Sequence, residues 1–240
     1  ETNTFGGTSL VLAEYGLADR AREISAVAAT IARRMAAEYS TPARPRFVAG
    51  SMGPTTRSIS VTGGVSFDAL QAHYREQAAG LLEGGVDFLI LETAQDTLNV
   101  KAGALGVAEA GEIAGRRVPL VVSGTIEPMG TMLAGQSVEA LYTSLEHLDP
   151  FAVGLNCATG PAVRTDHLRS LAGIAECFVS VVPNAGLPDE NGRYTESPER
   201  LAEVLGRFAH HGWVNFVGGC CGTTPAHIRA IRQALQSAPR

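Results

Sequence analysis

Three cysteines hold most of the chemistry this sequence offers. Cys157 follows the apolar run Ala152–Leu155, and Cys220 and Cys221 stand side by side after Val214–Val217. A cysteine sulfur acts as nucleophile or metal ligand only as the thiolate. Three thiolates meeting at one point would give a borderline-soft ion such as Zn²⁺ three of its four tetrahedral positions, and an open fourth position is the pattern of catalytic zinc. A thiol entering that position would lose its proton to the field of the ion and become a nucleophile at neutral pH without a separate base. Two plainer readings use the same residues: neighbouring cysteines can simply pack in a core, or close a strained vicinal disulfide. Gly218, Gly219 and Gly222 permit the tight backbone that would aim two adjacent sulfurs at one ion. Thr223-Thr224-Pro225 reads as a helix N-cap with proline at the first helical position. Cys177, at the head of an apolar run, reads as core.

Bringing such cysteines together requires a scaffold whose strand ends converge. Apolar runs begin near residues 46, 87, 120, 152, 178 and 214 and alternate with helical stretches. The helices are expected over Ser66–Glu83, Leu98–Ala114, Val138–His147, Val163–Ala175, Pro198–His211 and Pro225–Leu235, with a further one over Leu10–Tyr39. Continuous apolar strands alternating with helices indicate an α/β fold with a parallel sheet. The sheet can be open and doubly wound or closed as a (β/α)8 TIM barrel. Nearly every run ends in small or polar residues, among them Glu92-Thr93, Ser123-Gly124-Thr125, Asn156-Cys157 and Pro183-Asn184-Ala185-Gly186. A barrel gathers such ends at one mouth, so the barrel is favoured, N-terminally truncated with its first strand and most of its second absent. Glu1–Phe5 would be the tail of that second strand. The barrel domain is expected over residues 1–236, with 237–240 a linker or tail.

Bulk properties bound the alternatives. The chain has 240 residues, 45% of them hydrophobic, enough for a sizeable core. Its formal net charge is −5 and no lysine–arginine cluster marks a nucleic-acid groove. Neither a GxGxxG after the first strand nor a GxxxxGK[ST] is present, so the nucleotide-binding readings lack their signatures. Four cysteines in a chain this long make no disulfide scaffold, and there is no secretory signal or membrane-spanning apolar run, which points to a reducing, cytoplasmic setting. All six histidines fall on expected helices, where surface positions are commoner than ligand positions, and none is assigned to a metal.

At the cysteines the sequence becomes familiar. Gly154-Leu155-Asn156-Cys157-Ala158-Thr159-Gly160-Pro161 and Gly218-Gly219-Cys220-Cys221-Gly222-Thr223-Thr224-Pro225-Ala226-His227-Ile228 resemble the two zinc motifs of the homocysteine S-methyltransferase family. Glu1-Thr2-Asn3-Thr4-Phe5 resembles the end of that family's second barrel strand. Ser123-Gly124-Thr125-Ile126, Gly135-Gln136 and Pro183-Asn184-Ala185-Gly186-Leu187-Pro188 narrow the resemblance to the homocysteine-binding module of cobalamin-dependent methionine synthases. The resemblance implies a (β/α)8 barrel with Cys157, Cys220 and Cys221 on Zn²⁺ and the sulfur of L-homocysteine as fourth ligand. It implies methyl transfer to that sulfur to give methionine. The donor would be methylcobalamin on a separate module, regenerated by 5-methyltetrahydrofolate on a folate-binding module of the same or a partner chain. The competing readings are a free-standing thiol methyltransferase using S-methylmethionine or betaine, and a zinc- and homocysteine-binding module that turns over nothing by itself.

Homocysteine also needs partners for its ammonium and carboxylate. Glu92 and Asp96, at and just beyond a strand end, are candidates for the ammonium, though Asp96 can equally cap the helix that follows. Asn184 is a candidate for the amino-acid end, or a turn-forming asparagine. Ser123, Thr125 and Asn3 rank below these, since polar residues at strand ends often only satisfy backbone.

Overall fold

In the computed structural model, which describes residues 1–237, the alternation read from the sequence is realised as six strands and eight α-helices. The strands are Ala49–Met52 (β1), Phe88–Ala94 (β2), Leu120–Gly124 (β3), Ala152–Cys157 (β4), Phe178–Pro183 (β5) and Phe216–Val217 (β6), and they follow one another in the sheet in chain order. The pairs β1–β2, β4–β5 and β5–β6 are parallel. The α/β class and the parallel sheet therefore agree with the expectation. Among the described residues no helix is long and apolar enough to cross a membrane.

The chain divides into two compact units at β3, one covering Glu1–Val122 and the other running from Ser123 onward. In the first unit Phe67–Glu83 (α3) packs on Ala21–Glu38 (α2) and on Thr97–Ile113 (α4). Ser66 caps α3 by accepting from Ala69 N, and α3 presents Leu70, Tyr74, Ala78 and Leu81 to the core beside Leu89 and Leu91 of β2. Leu10–Tyr39 is not one helix. A short α1, Ser9–Leu12, gives way to 3-10 turns at Ala13–Tyr15 and Ala18–Arg20, separated at Gly16, before α2 begins. Glycine is a poor helix-interior residue, and here it ends the first turn. Glu1–Phe5 forms no assigned strand, yet it runs beside β1: Thr2 N donates to Ala49 O and Gly53 N to Phe5 O, each at 2.9 Å. Thr2 and Thr4 hydroxyls are bonded to each other, Thr2 accepts from Ser51 N, and Thr4 donates to Ser51 O.

In the second unit Val138–Leu145 (α5) packs with Thr165–Ile174 (α6), and Pro198–His210 (α7) with Pro225–Ala234 (α8). A 3-10 turn, Ala162–Arg164, precedes α6. The core is formed by Leu141, Leu145, Val153, Leu155, Leu168, Leu171, Val181, Leu205 and Phe208. β4 and β5 pair along their whole lengths, so Cys157 lies level with Pro183 and the segments beyond them leave the sheet at the same end. Gly154 sits opposite Ser180 in that register, and a Cβ there would collide with the Ser180 side chain and backbone. Cys177 is not in the core as expected. It is half-buried at the strand-entry end of β5, beside the exposed Phe178. Of the expected tail, Ser237 closes a 3-10 turn and 238–240 lie outside the described residues.

Candidate metal centre

Cys157, Cys220 and Cys221, all from the second unit, come together at the end of β4 and after β6 with their sulfurs within 4.8 Å of one another. The Cys157–Cys221 and Cys220–Cys221 sulfur separations are 3.8 and 3.9 Å. Zinc–thiolate bonds of about 2.3 Å in a tetrahedron set a ligand–ligand edge of about 3.8 Å. The donor set therefore fits a zinc ion in chemistry, and two of its three sulfur pairs fit in spacing. The four cysteines are free thiols, so the vicinal disulfide is not formed. Nor are the three a packed core cluster, since each is partly exposed.

The two segments that supply these sulfurs are held differently. Cys157 has φ +59° and Ala158 φ +49°, two successive non-glycine residues in the left-handed region. Such residues cost of order 1–3 kcal/mol each and persist where the surroundings over-determine them. The turn is closed by Thr159 N donating to Cys157 O at 2.7 Å. Cys220 and Cys221 instead hang on the end of β5. Cys220 N donates to Pro183 O at 2.8 Å, Cys221 N to Asn184 Oδ1 at 3.2 Å, and Ala185 N to Cys221 O at 2.9 Å. Gly222 then turns left-handed with φ +78°, under the Tyr194 ring, which leaves no room for a Cβ.

Hydrogen bonding divides the protons unequally within the cluster. The Cys220 thiol donates toward Cys157. Together with the Ala158 backbone N–H, Cys221 and Asn184 it outweighs burial and draws the Cys157 thiol down to about 5. Cys220, holding the shared proton and buried beside that sulfur, is pushed far up. Without an ion, Cys157 and Cys220 thus share their protons unequally. An ion that displaced those protons would replace mutual repulsion by coordination, which is the coupling of metal binding to thiol ionisation.

Asn184 is 4% exposed and touches both segments, accepting from Cys221 N and donating its amide toward Cys157. The residue expected at the amino-acid end of a substrate is therefore also a clamp between the two cysteine segments. Ser123 and Thr125 are buried on the Asn156 end of β4: Ser123 Oγ donates to Asn156 Oδ1 at 2.7 Å and Thr125 Oγ1 to Asn156 O at 3.1 Å. In the first unit, Glu92 accepts from Ser51 Oγ. Asp96 caps α4 through Leu98 N at 2.9 Å and also accepts from Ser58 Oγ and from Ser60 N and Oγ. Burial raises its carboxyl, but these bonds prevail and hold it below the ordinary aspartate value. The capping alternative is thus realised, with the oxygens of Asp96 occupied. Asn3 is exposed between the buried Thr2 and Thr4.

Two residues of this region escaped the reading by residue type. His227, expected on a helix surface, is 6% exposed and closes a capping box on α8. Its Nδ1 accepts from Thr224 N at 3.1 Å and its Nε2 donates to Glu196 O at 3.0 Å, tying the cysteine loop to the loop after β5. The spacing Thr224-x-x-His227 after Pro225 was the available signal, because a capping box puts a polar side chain at the third helical position. The other is Arg164, 1% exposed and without any signal in the sequence that separates it from a surface arginine.

Comparison with known proteins gives the class. The sequence profile of the Homocysteine S-methyltransferase family matches residues 1–235. The fold is that of a solved homocysteine methyltransferase, MmuM from Escherichia coli in its oxidized form, with a TM-score of 0.76 over 97% of this chain and 77% of that one at 24% identity. Its metallated form superposes with a TM-score of 0.74 over the same shares at 23% identity. The chain belongs to the homocysteine S-methyltransferase family. Among curated relatives it is 44% identical over 243 residues to the methionine synthase of Mycobacterium tuberculosis and 44% identical over 238 residues to that of Mycobacterium leprae. These alignments cover 100% and 98% of this chain, which spans 20% of the length of either relative.

Proposed function

We propose that this chain activates the thiol of L-homocysteine for methylation to methionine, with Zn²⁺ held by Cys157, Cys220 and Cys221. The observation that carries the reading is the sulfur spacing of 3.8 and 3.9 Å, the edge of a zinc–thiolate tetrahedron with one corner unfilled by protein. When bound, the ion would supply Lewis acidity that keeps the substrate sulfur ionised at neutral pH. The protein's own residues do the rest. The left-handed turn at Cys157–Ala158 and the hydrogen bonds at Cys220–Cys221 aim three sulfurs at one point. Asn184 ties the two segments together, and in this reading it is the candidate partner of the substrate's amino-acid end. Ser123 and Thr125 hold the Asn156 end of β4 in register.

The methyl donor belongs to the same proposal. The resemblance of Ser123–Ile126, Gly135-Gln136 and Pro183–Pro188 to the cobalamin-dependent module, beside 44% identity to methionine synthases at 20% of their length, supports methylcobalamin on another module, reloaded from 5-methyltetrahydrofolate, over S-methylmethionine or betaine. The test is zinc K-edge absorption of the purified chain with and without L-homocysteine. A change from three sulfur neighbours and one light atom to four sulfurs supports the reading. No zinc, or a coordination shell indifferent to homocysteine, overturns it. Methionine formation from free methylcobalamin but not from S-methylmethionine or betaine would settle the donor, and homocysteine binding without any turnover would leave a binding module.

A further inference from the structure

Arg164 follows the Cys157 turn in the 3-10 segment before α6, and it is the largest fully buried side chain of the described residues. Its Nε reaches Thr159 O at 3.4 Å, and Thr159 N in turn donates to Cys157 O. Its two terminal nitrogens are buried and have no hydrogen-bond partner among the described residues. A guanidinium cannot shed its charge as a buried lysine can, so it is buried as a cation. Burial draws it down only to about 10. Burying an unpaired charge costs several kcal/mol unless a nearby opposite charge compensates. The groups whose negative charge, when they are ionised, reaches it are Cys157, then Cys220 and Glu127. Two of those three belong to the sulfur cluster.

The charge count at the cluster gives this placement a consequence. Three thiolates around a divalent ion leave one net negative charge, and a fourth thiolate makes it two. A thioether in the same position adds none. A fixed cation nearby therefore favours the thiolate more than the thioether, and substrate and product of thiol methylation differ in this way. We infer that Arg164 is the internal counter-charge of the cysteine cluster and biases its open position toward an anionic thiolate over a neutral ligand, an inference that rests on the metal-site reading above. Arg164 acts through its field; none of its N–H groups bonds a sulfur. It is thus a selectivity residue, not a catalytic one.

The test loads the chain with Co²⁺ and follows its absorption bands at one pH and ionic strength during titration with L-homocysteine and, separately, with imidazole as a neutral ligand. Arg164→Met keeps most of the buried volume and removes the charge, whereas Arg164→Lys keeps the charge. The expected result is homocysteine affinity weakened on the order of tenfold in R164M, the scale a single partly screened buried charge supplies. Imidazole affinity should be unchanged within about twofold and R164K should recover most of the loss. Should R164M fail to give the wild-type circular dichroism, Arg164→Gln carries the same comparison. Homocysteine affinity equal to wild type, or equal weakening for both ligands, overturns the inference and leaves the metal site standing. A wild-type chain that takes up no metal, or takes it up and ignores homocysteine, overturns the metal-site reading and this inference with it.

Discussion

The two segments that supply thiols to the cluster solve one problem by opposite means. The Cys157 segment is short, ends a fully paired strand and holds its sulfur by bending two residues, Cys157 and Ala158, into a conformation that only glycine adopts freely. The Cys220–Cys221 segment follows a strand of two residues and has no such outliers at its cysteines. It is fastened from outside, by Pro183 at the end of β5, by Asn184 and Ala185 just beyond it, and by the His227 cap. Strain in the first is held by the strand it ends, and slack in the second is taken up by hydrogen bonds. A ligand set drawn from one rigid and one fastened segment can accept an ion by adjusting the fastened one. The general point is that a strained ligand needs a stiff support, whereas a relaxed ligand needs partners.

The comparison breaks most visibly at the sulfurs. Cys157→Ala, Cys220→Ala and Cys221→Ala should each reduce zinc from one equivalent to near none by elemental analysis, while Cys177→Ala keeps it. Retention of zinc by C157A alone would mean that the two segments do not serve one ion. Next in size is Asn184→Ala, which leaves all three sulfurs but removes the clamp between them. Zinc affinity should fall roughly 10–100-fold in chelator competition, the usual range for residues that orient metal ligands. Gly222→Ala should destabilise the fold by about 2 kcal/mol in urea, since alanine is disfavoured at φ +78° and its Cβ meets the Tyr194 ring. Smallest is Ala158→Gly. Removing the left-handed penalty should stabilise by about 0.5–1 kcal/mol, with zinc retained. A loss of stability in A158G would show that the Cys157 segment carries no backbone strain at Ala158.

Much of this was open to reading from residues alone, for definable reasons. The six strand positions follow from apolar runs bounded by turn residues. The helix starts follow from Ser66, Ser137 and Ser197, each of which accepts from the backbone three residues on. The meeting of Cys157 with Cys220 and Cys221 was legible because parallel strands in a barrel send their ends to one side. The break at Gly16 was not, because the apolar spacing of Leu10, Leu12 and Leu17 runs on through it. Asp96 offered two roles on residue type, and only the positions of Ser58 and Ser60 show its oxygens filled. The burial of Arg164, and that of His227 beyond what its capping-box spacing offers, was unreadable for a different reason. Their meaning lies in burial, and burial of a charged or polar side chain is fixed by tertiary packing that no local pattern reports.

Gly154 and Gly222 carry one more consequence, for what the cysteine motifs say when met in other sequences. Neither glycine has a side chain with which to bind an ion. Gly154 is there because Ser180 occupies the space of its missing side chain, and Gly222 because Tyr194 does. Much of the information in the two motifs is therefore a record of neighbours, of a serine one strand away and a tyrosine in the adjoining loop. A relative that keeps both glycines but has lost a cysteine would still look like kin and would lack the means to hold the ion. A relative that keeps the cysteines and has replaced both glycine and neighbour together could hold it unnoticed. Ancestry and chemistry are written in the same short motifs, by different letters.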